Sequence, residues 1–489
     1  MTTMQATLAM PVASELVPLI PELTLAGLGF LLLLIDLFVS DARRGITHVL
    51  SVLALLLVGA MIVLGVGSGD EASVLSGMFV RDTMADVLKV CTCVVSAVAL
   101  LFFWPDLRER GIYKGEVSVL VLFAVLGMML LISAGSLVMV YLGLELLALS
   151  SYALVAIDRD SPLASEAAIK YFVLGALASG LLLYGMSLVY GATGSLDLPT
   201  IRNVAAGVDH PMLLLAGVVF MTAGVSFKFG AAPFHMWLPD VYHGAPTPIT
   251  LFISSAPKLA AFAMVVRLFG FGTAPLAEQW QPLMAVLATL SLVVGNVIAL
   301  VQANLKRMLA YSTISHVGFV FLGFAGGGAV GYASAMFYAI SYALMATAAF
   351  GAIVLMARRG FEADRIADYK GLNARDPWSA AMVLCVMASL AGVPPFLGFW
   401  AKLAVLRAAI DGGMLWLAIV GIVFAVIGAY YYLHVMKVMY FDAPEEGHAP
   451  MEARENGVMR FTFAVNALAL LVLGVFWNPI MAWCQAAFV

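Results

Sequence analysis

The chain has 489 residues, of which 63% are hydrophobic and only 11% charged. No soluble core absorbs that much apolar surface, so the solvent around most of this chain is lipid. A formal net charge of -4, with no basic tail, argues against nucleic acid, and no phosphate loop, Cys-x-x-Cys pair or haem-attachment sequence points to a bound cofactor.

Apolar runs recur along the chain, each long enough to cross about 30 Å of hydrocarbon as a helix. Fourteen are read, near 16–39, 46–66, 84–104, 116–133, 137–157, 164–190, 212–233, 247–269, 281–303, 309–327, 331–357, 378–411, 413–440 and 459–485. The first run has no basic region ahead of it and is followed by many others, so it reads as a span and not as a signal peptide. Cys91, Cys93, Cys385 and Cys484 are scattered through apolar runs and read as small core residues. The longest polar connections, about 358–377 and 441–458, are too short for a separate soluble domain.

Positive charges test this count. With loops numbered by the span they follow, odd-numbered loops hold sixteen of the 25 Lys and Arg residues, including Lys306, Arg359 and Arg454. Even-numbered loops hold three: Arg81, Arg202 and Arg267. This asymmetry places the odd loops in the cytoplasm and both termini outside. A wrong count would have scrambled it.

Two spans carry the same interruption. Residues 230–234 read Gly-Ala-Ala-Pro-Phe and residues 392–396 read Gly-Val-Pro-Pro-Phe, 162 residues apart, with Trp237 and Trp400 close behind. Proline removes a backbone donor and clashes with the preceding turn, so the seventh and twelfth helices are expected to break. Freed backbone groups at membrane depth need protein or water against them, and paired broken helices point to a transport site. The breaks lie five spans apart. An odd number inverts the second copy, giving repeats over spans 4–8 and 9–13.

Five ionisable residues interrupt the apolar spans: Glu145, Lys170, Lys228, Lys258 and Lys402. A charge in hydrocarbon costs roughly 2.5–3.5 kcal/mol on insertion scales. Lysine suits proton exchange, because desolvation disfavours its charged form while a nearby carboxylate restores it. Moving Glu145 relative to a lysine would therefore load or unload a proton. The plain alternative is a set of static ion pairs and snorkelling side chains. His235 follows Lys228 by seven residues, and His316 lies in Ser-Thr-Ile-Ser-His-Val-Gly; both are candidate relays. His243 is a weaker one. Ser150, Ser151, Tyr152, Tyr311, Ser312, Thr313 and Tyr338 could hold water or simply cross-link helices.

The segments GAAPFHMWLPDVYHGAPTPITLFISSAPKLAAF (230–262) and NLKRMLAYSTISHVG (304–318) resemble the antiporter-like membrane subunits of respiratory complex I and their relatives. The resemblance covers roughly spans 4–13. A chain ending after span 14, and a lysine (Lys402) in span 12, look like the N-type subunits of bacterial proton-pumping NADH:quinone oxidoreductase.

The resemblance implies an all-α integral membrane fold of about fourteen transmembrane helices. Residues 1–114 would hold helices 1–3, 115–270 the first repeat, 271–441 the inverted second repeat and 442–489 the last helix. It also implies that Glu145 and Lys228 form the modulated pair, Lys258 the central relay and Lys402 the outlet lysine, with Lys170 and His235 extending the path, to which His316 is added as a candidate relay from its own setting. The chain would carry no redox cofactor. It would sit among other membrane subunits and lipids in the bacterial inner membrane. Two rivals remain: a cation/proton antiporter subunit of the same fold, and a structural membrane scaffold whose charges only lock helices together.

Overall fold

A computed structural model of the chain describes residues 13–40, 43–66, 72–358, 360–443 and 456–489. Arg359, Arg454 and most of the 441–458 connection lie outside the described residues. The described residues are almost entirely helical. In chain order the helices are α1 (Ile20–Asp36), α2 (Gly45–Val63), α3 (Thr83–Glu109), α4 (Gly115–Ile132), α5 (Leu137–Val155), α6 (Pro162–Thr193), α7 (Leu198–Val204), α8 (Pro211–Phe229) and α9 (Trp237–Gly244). They continue as α10 (Thr247–Val265), α11 (Ala277–Ala299), α12 (Leu305–Gly326), α13 (Gly328–Met356), α14 (Leu372–Arg375), α15 (Pro377–Ala391), α16 (Leu397–Asp411), α17 (Leu415–Phe441), α18 (Gly457–Val475) and α19 (Asn478–Ala486).

Thirteen helical segments among the described residues are long and apolar enough to span a membrane. The twelfth expected span is absent from that set because it is broken into α15 and α16. With that pair, the fourteen expected spans are all present. The fourteenth differs in one respect: it is not continuous to 485, but ends at Val475 and restarts as α19. A two-stranded hairpin, β1 (Ala72–Val74) and β2 (Phe79–Arg81), and the short α7 were not anticipated, being too short for a periodicity signal.

The two repeats are packed alike. In the first, α4 lies along α5; in the second, α11 lies along α12. Both contacts are made by small residues. A Cβ at Gly127 would stand 2.6 Å from the Leu147 nitrogen, and one at Gly295 2.5 Å from the Ser315 nitrogen. Backbones approach this closely only where glycine leaves room, which is how helices associate without a hydrophobic driving force.

Ion pairs sort the loops onto two faces. On the odd-loop face, Arg110 Nη1 donates to Glu362 Oε1 at 2.5 Å and Asn304 Nδ2 to Asp364 Oδ2 at 2.6 Å. On the even-loop face, a π-helical turn at Val266–Gly272 delivers Arg267 to Asp82, with Nη1–Oδ2 at 2.6 Å and Nη2–Oδ1 at 3.0 Å. Arg267 Nε also donates to the Ile132 carbonyl at 3.0 Å, and Arg81 pairs with Asp86 at 2.9 Å. Two of the three even-loop arginines are thus buried and neutralised.

Arg267 ties α10 to α3 and α4, and Asp82 also caps α3 by accepting from the Ala85 N–H at 2.8 Å. Removing one partner of a buried pair strands the other charge. Arg267→Gln is expected to lower stability by about 3 kcal/mol, read as a lowered thermal transition of the intact assembly.

Candidate functional site: buried lysines at broken helix ends

A helix leaves its last four carbonyls without intrahelical donors. At a membrane surface water supplies the missing donors. At membrane depth the protein must. α8 stops at Phe229 because Gly230 takes the left-handed conformation, φ +78°, where a side chain is disfavoured. Its N–H and that of Ala231 close back on Phe227 and Ser226 carbonyls. The Phe229 carbonyl is met by Lys258, whose Nζ donates to it from α10 at 2.8 Å. Trp237, the first residue of α9, donates its indole N–H to the Phe227 carbonyl at 2.9 Å. From α11, the Ser291 hydroxyl accepts the Ala232 N–H at 3.0 Å.

The second break repeats the solution with different parts. α15 ends at Ala391, where Gly392 takes φ +84°. Lys402 of α16 donates to the Leu390 and Ala391 carbonyls at 3.0 and 2.8 Å. Lys258 is 3% exposed and Lys402 8%. In each case the negative end of a helix dipole faces an ammonium, which offsets part of its desolvation. The bend between α18 and α19 covers this break: Gly474 packs on the Pro395 carbonyl, and Trp477 stacks on Trp400 at 4.9 Å.

Glu145 lies on α5 with its Oε1 buried and unpartnered, and it makes no direct ion pair with Lys228 among the described residues. The Lys228 ammonium lies 5.9 Å from the centre of the Tyr152 ring. From there aromatic contacts run without a gap: Tyr152 to Tyr171 at 4.7 Å, Tyr171 to Trp237 at 4.8 Å, and Trp237 to the Lys258 ammonium at 5.6 Å. Lys228 and Lys258 therefore share one aromatic wall.

In the second repeat His316 Nδ1 meets the Tyr338 hydroxyl at 2.8 Å, and Nε2 meets the Tyr432 hydroxyl at 3.1 Å. Tyr432 is also hydrogen-bonded to Ser312. Tyr342 donates to Thr313 at 2.7 Å. Asn296 donates to Ser315 at 2.8 Å and accepts from Tyr431 at 3.1 Å. Lys402 stands over Phe319 at 5.4 Å, and Phe319 stacks on Tyr338 at 5.7 Å.

One expected site residue is placed differently. Lys170 is not deep in the protein but 40% exposed on α6, paired with Glu166 and Asp240, each at 2.7 Å. Its position along the span was legible, but not which way it faced. His235 lies beyond the expected break from Lys228, with its Nδ1 buried and unpartnered among the described residues. His243 lies 3.8 Å from Asp364 on the odd-loop face.

Lys306, counted from sequence as a loop charge, is 3% exposed. Its Nζ donates at 2.9 Å to the Ala245 carbonyl at the end of α9. A third lysine thus caps a helix end beside the first break. Tyr431, Tyr432 and Asn296 were also missed. The run Tyr430-Tyr431-Tyr432 in an apolar span was the available signal.

Residues 134–428 match the family described as NADH:quinone oxidoreductase/Mrp antiporter, transmembrane. NADH-quinone oxidoreductase subunit N of Xanthomonas euvesicatoria pv. vesicatoria is 62% identical over 482 residues, covering 99% of this chain and 98% of that protein. The same subunit of Thioalkalivibrio sulfidiphilus is 49% identical over 97% of this chain and 98% of that protein. Among solved structures, a chain of respiratory complex I from Thermus thermophilus is 30% identical, with a TM-score of 0.81 and coverage of 96% of this chain and 100% of that one. A chain of the archaeal membrane-bound sulfane sulfur reductase is 26% identical, with a TM-score of 0.85 and coverage of 96% of both.

Tyr432→Phe removes the hydroxyl shared by His316 and Ser312. Leaving buried partners unsatisfied costs about 1–3 kcal/mol. The expected result is a lowered thermal transition in the assembled complex, with Ser312→Ala/Tyr432→Phe costing less than the sum of the single changes because their common bond is lost only once.

Proposed function

The chain belongs to the subunit N family of NADH:quinone oxidoreductase, and from that membership together with its buried lysines we propose the route by which it carries protons. The observation that carries the reading is the placement of Lys258 and Lys402, each buried and each donating to the carbonyl end of a broken helix. An ammonium held there is stabilised by fixed dipoles. When the proton leaves, the amine still donates a hydrogen bond but the charge–dipole attraction is gone. Protonation and helix-end position are therefore linked.

In this route Glu145 and Lys228 form the modulated input, and Lys258 is the central relay. His316, with Tyr338 and Tyr432, passes the proton on, and Lys402 releases it. The two imidazole nitrogens of His316 face two different hydroxyls, the arrangement a relay needs. Lys170 belongs at the margin, where it shares Asp240 with Arg307. His235 sits in the first break beside the route. Odd loops would face the cytoplasm, both termini the periplasm, and protons would move outward. Quinone reduction elsewhere in the assembly would drive the cycle, with no redox cofactor in this chain.

The cation/proton antiporter reading is weaker, since four lysines against one glutamate at these positions disfavour a sodium site. Under the scaffold reading, neutral substitutions would affect assembly alone. Lys258→Ala in the native membrane separates these. With assembly intact, quinone reduction and proton uptake are expected to fall together, proton uptake by on the order of tenfold or more. Normal turnover with normal protons per electron would remove Lys258 from the route.

A further inference from the structure

One buried charge pair lies outside both repeats. Glu22, in the first turn of α1, and Lys89, in the second turn of α3, meet at 2.6 Å with each side chain 2% exposed. The ammonium also stands 4.8 Å over the Phe79 ring. Burying two charges costs several kcal/mol per ion unless their remaining lone pairs and protons are satisfied. Here they are not satisfied by protein. Among the described residues Glu22 Oε1 meets only the Lys89 ammonium, and Oε2 has no hydrogen-bond partner.

The neighbouring hydroxyls repeat the anomaly. Thr92 and Ser96 follow Lys89 at three and seven residues, one stripe of a helix face. Both are fully buried, and neither hydroxyl has a hydrogen-bond partner. Many buried hydroxyls of this chain turn back onto the carbonyl four residues earlier, as Ser51, Ser151, Thr222, Ser226, Ser341 and Thr347 do, while Ser133, Ser179 and Thr247 share the unpartnered state of Thr92 and Ser96. Thr92 and Ser96 decline that bond. Of the other groups on this face, Asp86 is taken up by Arg81 at 2.9 Å and Cys93 carries a buried thiol.

Beside the ion pair, Glu22 Oε2 and the Thr92 and Ser96 hydroxyls are three buried polar atoms without a hydrogen-bond partner among the described residues, and a buried water makes two to four such contacts. We propose that Glu22, Lys89, Thr92 and Ser96 form a water-binding site in α1–α3, a second protonatable centre separate from the route through the repeats. A water there bonds the carboxylate and a hydroxyl at once. It gives the Lys89 proton a path onto Glu22, leaving a neutral amine and a carboxylic acid with charge conserved. The hydration of this site is independent of the proposed route, and only the Lys89-to-Glu22 proton transfer during turnover rests on that reading.

The test uses the intact complex in lipid. At a resolution that shows ordered solvent, wild type is expected to hold water within hydrogen-bond distance of Glu22, Thr92 and Ser96. Thr92→Val/Ser96→Ala, which keeps the ion pair, is expected to lose it. Infrared difference spectra taken during turnover are expected to contain a protonated-carboxyl band that shifts in D2O, is absent in Glu22→Gln and survives in Glu145→Gln. A dry wild-type site, with both hydroxyls turned to backbone carbonyls, overturns the proposal even if Glu22→Gln fails to assemble. So does a carboxyl band that persists in Glu22→Gln. A band lost only in Glu145→Gln assigns the proton to the route through the repeats instead.

Discussion

Carbonyl groups stranded at membrane depth are the constraint from which the rest of this architecture follows. A broken helix in lipid presents acceptors that water cannot reach, and each must be met from within the protein. The chain meets them with lysine, Lys258 at the end of α8 and Lys402 at the end of α15, and Lys306 caps the end of α9 in the same way near the odd-loop face. Each lysine in turn needs the helix end, because an ammonium without a compensating dipole would be too costly in hydrocarbon. Break and lysine therefore stabilise each other. The glycine-mediated packing of α4 on α5 and α11 on α12 supplies the rigid frame in which this exchange is possible.

Much of this was legible from residue order. Span lengths and the alternation of Lys and Arg gave the right helix count, since hydrocarbon thickness is a hard ruler and loop charges sort by face. Gly230–Phe234 and Gly392–Phe396 announced the breaks, because left-handed glycine and proline have few other uses in a span. Partnership was less legible. Lys306 has the sequence neighbourhood of a loop charge, and only the fold shows Ala245 above it. Lys170 has the neighbourhood of a buried charge, yet its face of α6 turns outward to Glu166 and Asp240. Helical periodicity could not decide either case, since these helices are apolar nearly all round.

Glu22 and Lys89 escaped notice for a related reason. Each lies close enough to a helix end to pass for a snorkelling side chain. Their contact spans 67 positions in sequence and reaches from α1 to α3, which no local pattern encodes. The same applies to Tyr432, whose hydroxyl reaches across from α17 to His316 on α12. Polar groups that bridge distant helices are the part of a membrane protein that composition hides best.

The two principal lysines reach equivalent carbonyl ends from non-equivalent places. Lys258 comes from the next span, so its bond to Phe229 joins two separate helices. Lys402 comes from the far half of the same broken helix, so its bonds to Leu390 and Ala391 hold a bend closed on itself. A change of charge at the first therefore alters how firmly one rod grips another, a disturbance that travels sideways through the bundle. At the second it alters the stiffness of a single joint. Pseudo-symmetric halves thus behave as unlike mechanical parts, one a clutch between members and the other a spring within one.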